Sequence, residues 1–153
     1  MHVLKNFYEG LIEAGTLFQH LFLLAIRLYW GYSFQSAGLH KLNSIRETAS
    51  FFSAQHIPFP EATAYLVGGI EFIGGWLLIL GLFTRLISIP LAITMIVALL
   101  TVHWAGTSQF FSNPSAFQIE APVTYLLTAL TLFCFGPGVI SLDYAVKKLV
   151  LKK

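Results

Sequence analysis

Residues 67–82 read VGGIEFIGGWLLILGL, an apolar and glycine-rich run that holds one carboxylate, Glu71. Crossing a bilayer takes about 20 mainly apolar residues, and this run is most of such a crossing. Further segments of the same kind lie on either side of it, so that spans are read at residues 17–37, 64–83, 86–104 and 121–139. The chain of 153 residues is 56% hydrophobic and 10% charged, against about a quarter charged in an ordinary soluble domain. The expectation is an all-α fold, an integral membrane four-helix bundle with short interfacial helices. It is read as a single transmembrane domain over residues 1–153.

The first span follows an amphipathic prelude, residues 1–19, in which Leu4, Phe7, Leu11 and Phe18 fall near helical spacing while Lys5, Glu9 and Glu13 lie on the other side. That pattern suits a helix lying at the membrane interface. The span carries Arg27 and lacks the small-residue cleavage site of a secretory signal, so it is read as retained. Lys5, Arg85, Lys147, Lys148, Lys152 and Lys153 flank the spans on one side, and only Lys41 and Arg46 on the other. The positive-inside rule then puts both termini in the cytoplasm. In a bacterium this is the cytoplasmic (inner) membrane, with the long first loop facing the periplasm. The basic and apolar tail, residues 145–153, suggests an interfacial helix held by anionic membrane lipid. Topology accounts for the +2 net charge, and no nucleic-acid binding is expected.

Cys134 is the one cysteine. A single thiol cannot cycle through an internal disulfide, which removes thiol–quinone exchange. In the first outer loop, residues 39–63, Ser44 and Glu47 read as a capping box for a short surface helix over residues 44–55, with Ile45, Phe51 and Phe52 on its apolar side. Pro58 and Pro60 end it. The minimal loop FTRL, residues 83–86, forces the second and third spans into a hairpin. Pro90 either bends the third span or sits harmlessly in its first turn, and Asn113-Pro114 marks a turn.

Buried polar residues carry most of the functional information. An ionisable group inside a span faces the bundle interior and takes a partner. Arg27, Gly31, Phe34, Gly38 and Lys41 form one stripe, and Ala64, Gly68, Glu71 and Gly75 form another. Small residues let helices approach closely, so the two stripes are expected to face each other. At about 1.5 Å per residue, Glu71 lies roughly 10 Å from the outer end of its helix and Arg27 roughly 15 Å from residue 38. That leaves Arg27 within reach of Glu71. Side chains lean toward the helix N-terminus, which draws the two apart and makes Lys41 the competing partner. Two accounts of the pair stand side by side: an ion pair that fixes helix order, and a proton relay or polar contact for a membrane-soluble ligand such as a quinone head group.

At the outer face His40, Lys41, His103 and Glu120 form a second cluster. A carboxylate at a helix start is favoured by the macrodipole, and Thr124, Thr128 and Thr131 on the same helix can bond back to it. The alternative is a polar cavity open to the outside in which His103 exchanges protons near neutral pH. No HxxxH or HExxH spacing occurs, so no metal is expected, and His40 with His103 at the rim suits haem poorly.

The order of RLYWGYSFQSAGLHKL (residues 27–42), GGIEFIGGWLLILGLFTRL (68–86), ALLTVHW (98–104) and GPGVISLD (136–143) resembles the DoxX family of small four-helix bacterial membrane proteins. Arg27, Gly38, Lys41, Glu71, Gly75, Arg85, His103, Gly136, Gly138, Ser141 and Asp143 match its pattern by position, and Val139 stands where the family often has a basic residue. The resemblance implies redox-associated membrane function. Members look like the quinone-reducing membrane subunit of thiosulfate:quinone oxidoreductase, or like integral partners of superoxide dismutase and a sulfurtransferase in an oxidative-stress complex. Others accompany biosynthesis of copper-binding modified peptides.

Two expectations follow. In one, the chain is an oxidoreductase subunit in which Arg27, Glu71 and His103 do the proton and head-group chemistry, and Lys41, His40 and Glu120 bind substrate. Quinone is then the ligand, with no tightly bound cofactor, and a redox partner protein carries the rest of the chemistry. In the other, the chain is a non-catalytic scaffold docking a partner protein through residues 39–63. A proton or small-molecule transporter is a third option: four short spans make a small pathway unless the protein forms a homo-oligomer, for which the glycine-rich second span could serve.

Overall fold

How far each apolar span runs is set by what ends it. In the computed structural model, which describes residues 2–150, the first helix, α1, runs unbroken over His2–Asn43, 42 residues. No proline interrupts that stretch, and Gly10 and Gly15 sit in open space, where a helix tolerates each at a cost of about 1 kcal/mol. α2, Ile45–Ala54, follows directly after Ser44. α3, Pro60–Leu80, opens with proline, which loses no donor there, and closes at Gly81. The φ of 66° at Gly81 is a left-handed conformation that glycine adopts without steric cost. The Gly81 and Leu82 amides donate to the carbonyls of Leu78 and Leu77 at 3.1 and 3.0 Å, completing a Schellman turn. Beyond it lie α4, Thr84–Leu100, α5, Trp104–Thr107, α6, Pro114–Gln118, α7, Ala121–Phe135, and α8, Leu142–Val150. Every element among the described residues is a helix.

α1 packs along α3 and α4 along α7, while the α3–α4 hairpin and α1–α7 contacts join the pairs. α2 lies on α3 at the far end from the hairpin turn. The two ends of the bundle are called here the turn end and the α2 end. Between them, Phe34, Leu78, Leu91, Ala129 and Leu132 are fully buried.

The distribution of polarity is the reverse of a soluble protein's. Arg27, Glu71, Thr84, Ser88 and Thr128 are buried, whereas Leu66, Ile73, Trp76, Ile89, Ile93, Leu127 and Leu130 are exposed. Water selects against such a surface and a bilayer selects for it. α1 and α3 are each long and apolar enough to cross a membrane; the 21 residues of α3 extend roughly 31 Å at 1.5 Å per residue. The chain is an all-α membrane protein.

Asp143 ties the turn end together. Its carboxylate accepts from the Phe83 and Thr84 amides at 2.8 and 3.0 Å, capping the start of α4. Its own amide donates to the Gly81 carbonyl at 2.9 Å. The first turn of α8 is thereby bonded to both sides of the hairpin.

Several expectations are corrected. The N-terminal prelude is not a separate interfacial helix but the first turns of α1, since nothing in residues 2–43 breaks the helix. Ser44 precedes the surface helix as expected but makes no side-chain cap bond. Its amide donates to the His40 carbonyl at 3.0 Å, so the chain enters α2 while still turning and lacks the extended residue a capping box needs. Pro90 lies inside α4, past the first turn. Asn113-Pro114 starts the short α6 rather than marking only a turn. α4 and α7, with 17 and 15 residues, are shorter than residues 86–104 and 121–139, because the chain turns at residues 101–103 and Gly136 ends α7. Lys147 and Lys148 lie in the last turn of α8; Lys152 and Lys153, counted in the charge of the tail, lie outside the described residues.

Candidate functional site

The two stripes face each other. A Cβ placed on Gly38 would run into the Phe72 backbone and the Gly68 carbonyl, and one on Gly75 into the Gln35 backbone and the Gly31 carbonyl. α1 and α3 are therefore in backbone contact, antiparallel, with residue 38 beside 68–72 and residue 31 beside 75–79. Most glycines of α3 are taken up by the chain's own helices, Gly68 and Gly75 by α1 as the stripes required and Gly74 by Leu91 of α4, which leaves Gly69 alone facing open space for a dimer through this span.

This register delivers Lys41 to Glu71. The Lys41 Nζ donates to Glu71 Oε2 at 2.5 Å. The Glu71 side chain is 3% exposed and that of Lys41 27%, so the carboxylate depends on the amine while the amine keeps a route outward. Of the two partners weighed for Glu71, Lys41 is the one in place.

Arg27 does something else. It is 1% exposed, and its Nη1 donates to the Pro137 carbonyl at 2.5 Å while Nη2 reaches the Ile79 carbonyl at 3.5 Å. It thus bonds an unpaired carbonyl in the last turn of α3 and holds the loop after α7, at the turn end of the bundle. From Glu71 to Ile79 is roughly 12 Å along α3 at 1.5 Å per residue. α1 runs on to Asn43 rather than ending near residue 38, which sets Arg27 roughly 8 Å deeper than the spans alone imply.

His103 and Glu120 meet at the α2 end. α4 stops at Leu100 and residues 101–103 turn, leaving His103 at the N-cap position of α5. Thr107 Oγ1 donates to the carbonyls of His103 and Leu99, both at 2.9 Å, which fixes the turn. Nδ1 of His103 lies 2.5 Å from Glu120 Oε2, a contact that calls for the proton on Nδ1 and leaves Nε2 available. Gly106 makes room for it, since a Cβ there would collide with the Glu120 carboxylate. Glu120 stands at the N-cap of α7 yet makes no side-chain cap bond; its carboxylate is turned to the imidazole instead. Two of the three threonine hydroxyls bond back as the sequence suggested, Thr124 to Ala121 at 2.9 Å and Thr131 to Leu127 at 2.8 Å.

The Lys41–Glu71 ion pair and the His103 imidazole line one cavity of about 670 Å³, framed by α1, α2, α3, α4 and α7. Lys41 and Glu71 line one wall and His103 another. The rest of the lining is almost entirely apolar and aromatic, with Phe34, Phe52, Met95 and Tyr125 prominent and Pro90 on the α4 side. Phe34 and Tyr125 meet edge to face at 4.7 Å. Small-molecule sites run to about 300–1,000 Å³ and combine an apolar lining with a few polar groups. Leu66, Ile93 and Val97 line the cavity and are also 63%, 55% and 44% exposed on the outer surface.

Lys41, Glu71 and His103 therefore come together, Glu120 acts on the site through His103, and Arg27 and His40 do not join it. His40 is exposed on the outer side of α1. Sequence reasoning missed Tyr125, the single tyrosine of residues 121–139, because the polar signal of that span was sought in its threonines. It also gave no role to Asp143; a carboxylate at the head of the tail reads as a cap of its own helix, a place Ser141 takes by accepting from the Tyr144 amide at 3.2 Å, so nothing local signalled that Asp143 caps α4.

A family model described as DoxX matches residues 22–104, a range that includes Arg27, Lys41, Glu71 and His103. The chain is 33% identical over 131 residues to the "Putative oxidoreductase CatD" of Bacillus subtilis (strain 168), covering 86% of each chain. It is 30% identical over 132 residues to an uncharacterized protein of Haemophilus influenzae, covering 82% of this chain and 83% of that one. It is 29% identical over 136 residues to the uncharacterized membrane protein Rv3486 of Mycobacterium tuberculosis, covering 82% of each. No solved structure gives a significant match.

Proposed function

This chain belongs to the DoxX family, and from that premise we propose that it is the membrane subunit of a redox complex, binding a quinone in the cavity between Lys41–Glu71 and His103–Glu120. The observation that carries the reading is the meeting of the Lys41–Glu71 pair and the His103 imidazole, itself held by Glu120, in one otherwise apolar cavity of about 670 Å³. A flat, apolar molecule with polar oxygens on its ring fits that donor set. Lys41 supplies an N–H donor from one wall and His103 its free ring nitrogen, Nε2, from another, and the aromatic side chains of Phe34, Phe52 and Tyr125 supply packing area. The exposed apolar rim at Leu66, Ile93 and Val97 supports access from the bilayer, where a molecule with a hydrocarbon tail resides. The name of the Bacillus subtilis relative points to the same class of chemistry.

A quinone supplies two-electron, two-proton redox chemistry when bound. The residues of this chain hold and orient it and handle protons. The His103–Glu120 pair, 32% and 22% exposed, is the group that exchanges protons with water, while Lys41 keeps the buried Glu71 carboxylate paired. The electron-transfer partner is a separate protein that brings its own cofactor. The protein sits in the bacterial inner membrane with both termini cytoplasmic, so the α2 end and His103 face the periplasm.

The test is quinone binding to the purified protein in nanodiscs, compared among wild type, Glu71→Gln and His103→Ala. Saturable binding that weakens at least tenfold in either variant, while that variant stays folded with little loss of thermal stability, upholds the reading. No binding by wild type refutes it. A scaffold role is the second reading, favoured by the exposure of Phe51, Phe59 and Phe111 at 48%, 82% and 93% in the loops between spans. Under that reading, changes at Phe51 or Phe59 abolish recovery of a partner protein while Glu71→Gln leaves it intact.

A further inference from the structure

The N-terminal part of α1 stands apart from the bundle. Arg27 is level with Ile79 and Gly81 at the turn end, and His20 lies beside Gly138. Residues 4–19 are exposed on every side. At 1.5 Å per residue they extend the helix roughly 24 Å past His20.

This projecting helix is amphipathic with a period of 3.5. Leu4, Phe7, Leu11, Phe18, Leu21 and Leu28 fall at the a and d positions of one unbroken heptad frame, the signature of a coiled-coil seam. The remaining seam positions of those heptads hold Ala14 and Ala25. Lys5, Asn6, Glu9, Glu13 and Thr16 all fall at positions b, c and f, and Lys5 pairs with Glu9 at 3.8 Å on that polar side. The six large seam side chains are 47–79% exposed. The seam faces away from the bundle, and it runs without a break from the projecting turns into the lipid-facing surface of the span. An unbroken 42-residue helix with no proline to kink it does not lay its first half on the membrane surface while its second half crosses.

We propose that a second copy of this chain covers the seam, in a parallel coiled coil of the two α1 helices. Copies inserted in the same orientation are related by a two-fold axis along the membrane normal, which pairs each seam residue with itself. With six large apolar side chains exposed along the seam, and the alanines and flanking residues adding to them, the surface available for burial approaches the ~800 Å² per partner of a stable interface. Gly10 and Gly15, with nothing within 4 Å, flank Ala14 and let the two backbones close up there.

Cysteine cross-linking in native membranes tests this on the full-length protein in a Cys134→Ser background. Like seam residues of a parallel pair come within the roughly 6 Å Cα separation that a disulfide spans, whereas f positions point outward. Leu11→Cys and Phe18→Cys are expected to give disulfide-linked dimers on mild oxidation, at least tenfold more than Glu9→Cys and Thr16→Cys. All four positions are exposed, so the substitutions leave the monomer's packing untouched. Absence of linked dimers at both seam positions, the result if bilayer lipid covers the face, overturns the proposal. Equal linking at all four positions, the mark of random collision, overturns it as well.

Discussion

Lys41→Met is expected to damage the protein more than Glu71→Gln, although both break the same ion pair. The asymmetry comes from burial. The Glu71 side chain is 3% exposed and that of Lys41 27%, so removing the amine strands a carboxylate that has no path to water. Leaving a buried charge without its partner costs about 3–5 kcal/mol. Replacing Glu71 by glutamine keeps an acceptor for the Lys41 amine, and the amine can reach outward; exchanging a charged for a neutral hydrogen bond costs about 1 kcal/mol. The double variant Lys41→Met/Glu71→Gln strands no charge. It is expected to be more stable than Lys41→Met alone by about 2 kcal/mol, which with the cost of Glu71→Gln makes a coupling of about 3 kcal/mol, at the upper end for residues in direct contact. Denaturant unfolding in detergent micelles, followed by the fluorescence of Trp30, Trp76 and Trp104, measures all three. If Glu71→Gln proves as destabilising as Lys41→Met, or if the two changes are additive, the dependence of Glu71 on Lys41 is refuted.

The α1–α3 contact predicts a contrast between neighbouring glycines. Gly75→Ala puts a methyl group into the Gln35 backbone and is expected to cost more than about 2 kcal/mol as the helices part. Gly69→Ala meets nothing within 4 Å and is expected to be neutral or to stabilise by up to about 1 kcal/mol through helix propensity; the same unfolding assay reads both. Asp143→Ala removes the acceptor of the Phe83 and Thr84 amides and is expected to cost about 1–2 kcal/mol. Hydrogen exchange at those two amides, rising in the variant while the Glu71 region stays protected, checks that the loss is local.

The stripes on α1 and α3 were legible because a membrane span has few polar residues, and each one marks a buried face. Glycines at spacings of three and four did the same for the helix contact. What the sequence concealed was axial position. Nothing in a uniformly apolar run says where it ends, so placing the end of α1 near residue 38 put Arg27 beside Glu71, although it bonds the Pro137 and Ile79 carbonyls. The meeting of Lys41–Glu71 with His103 in one cavity was hidden for a related reason. It depends on the turn at residues 101–103, whose only signature is the loss of apolar periodicity. The seam of α1 was partly visible, since Leu4, Phe7, Leu11 and Phe18 stood out. Its continuation through Leu21 and Leu28 was masked, because inside a span apolar residues occupy every face.

The bonds made by Asp143 also bear on the order in which the chain completes its fold. Ribosomes deliver residues from the N-terminus, so α1 and α3, with their glycine contacts and the Lys41–Glu71 pair, exist well before residue 143 appears. Until then the Phe83 and Thr84 amides and the Gly81 carbonyl have no partner from the tail, and the carbonyl of Pro137 has not yet arrived for Arg27. The hairpin is therefore built early and fastened late. A chain halted before Asp143 would hold all four long helices yet lack the clasp that joins them at one end, which gives cellular quality control a defined feature by which an unfinished molecule differs from a finished one.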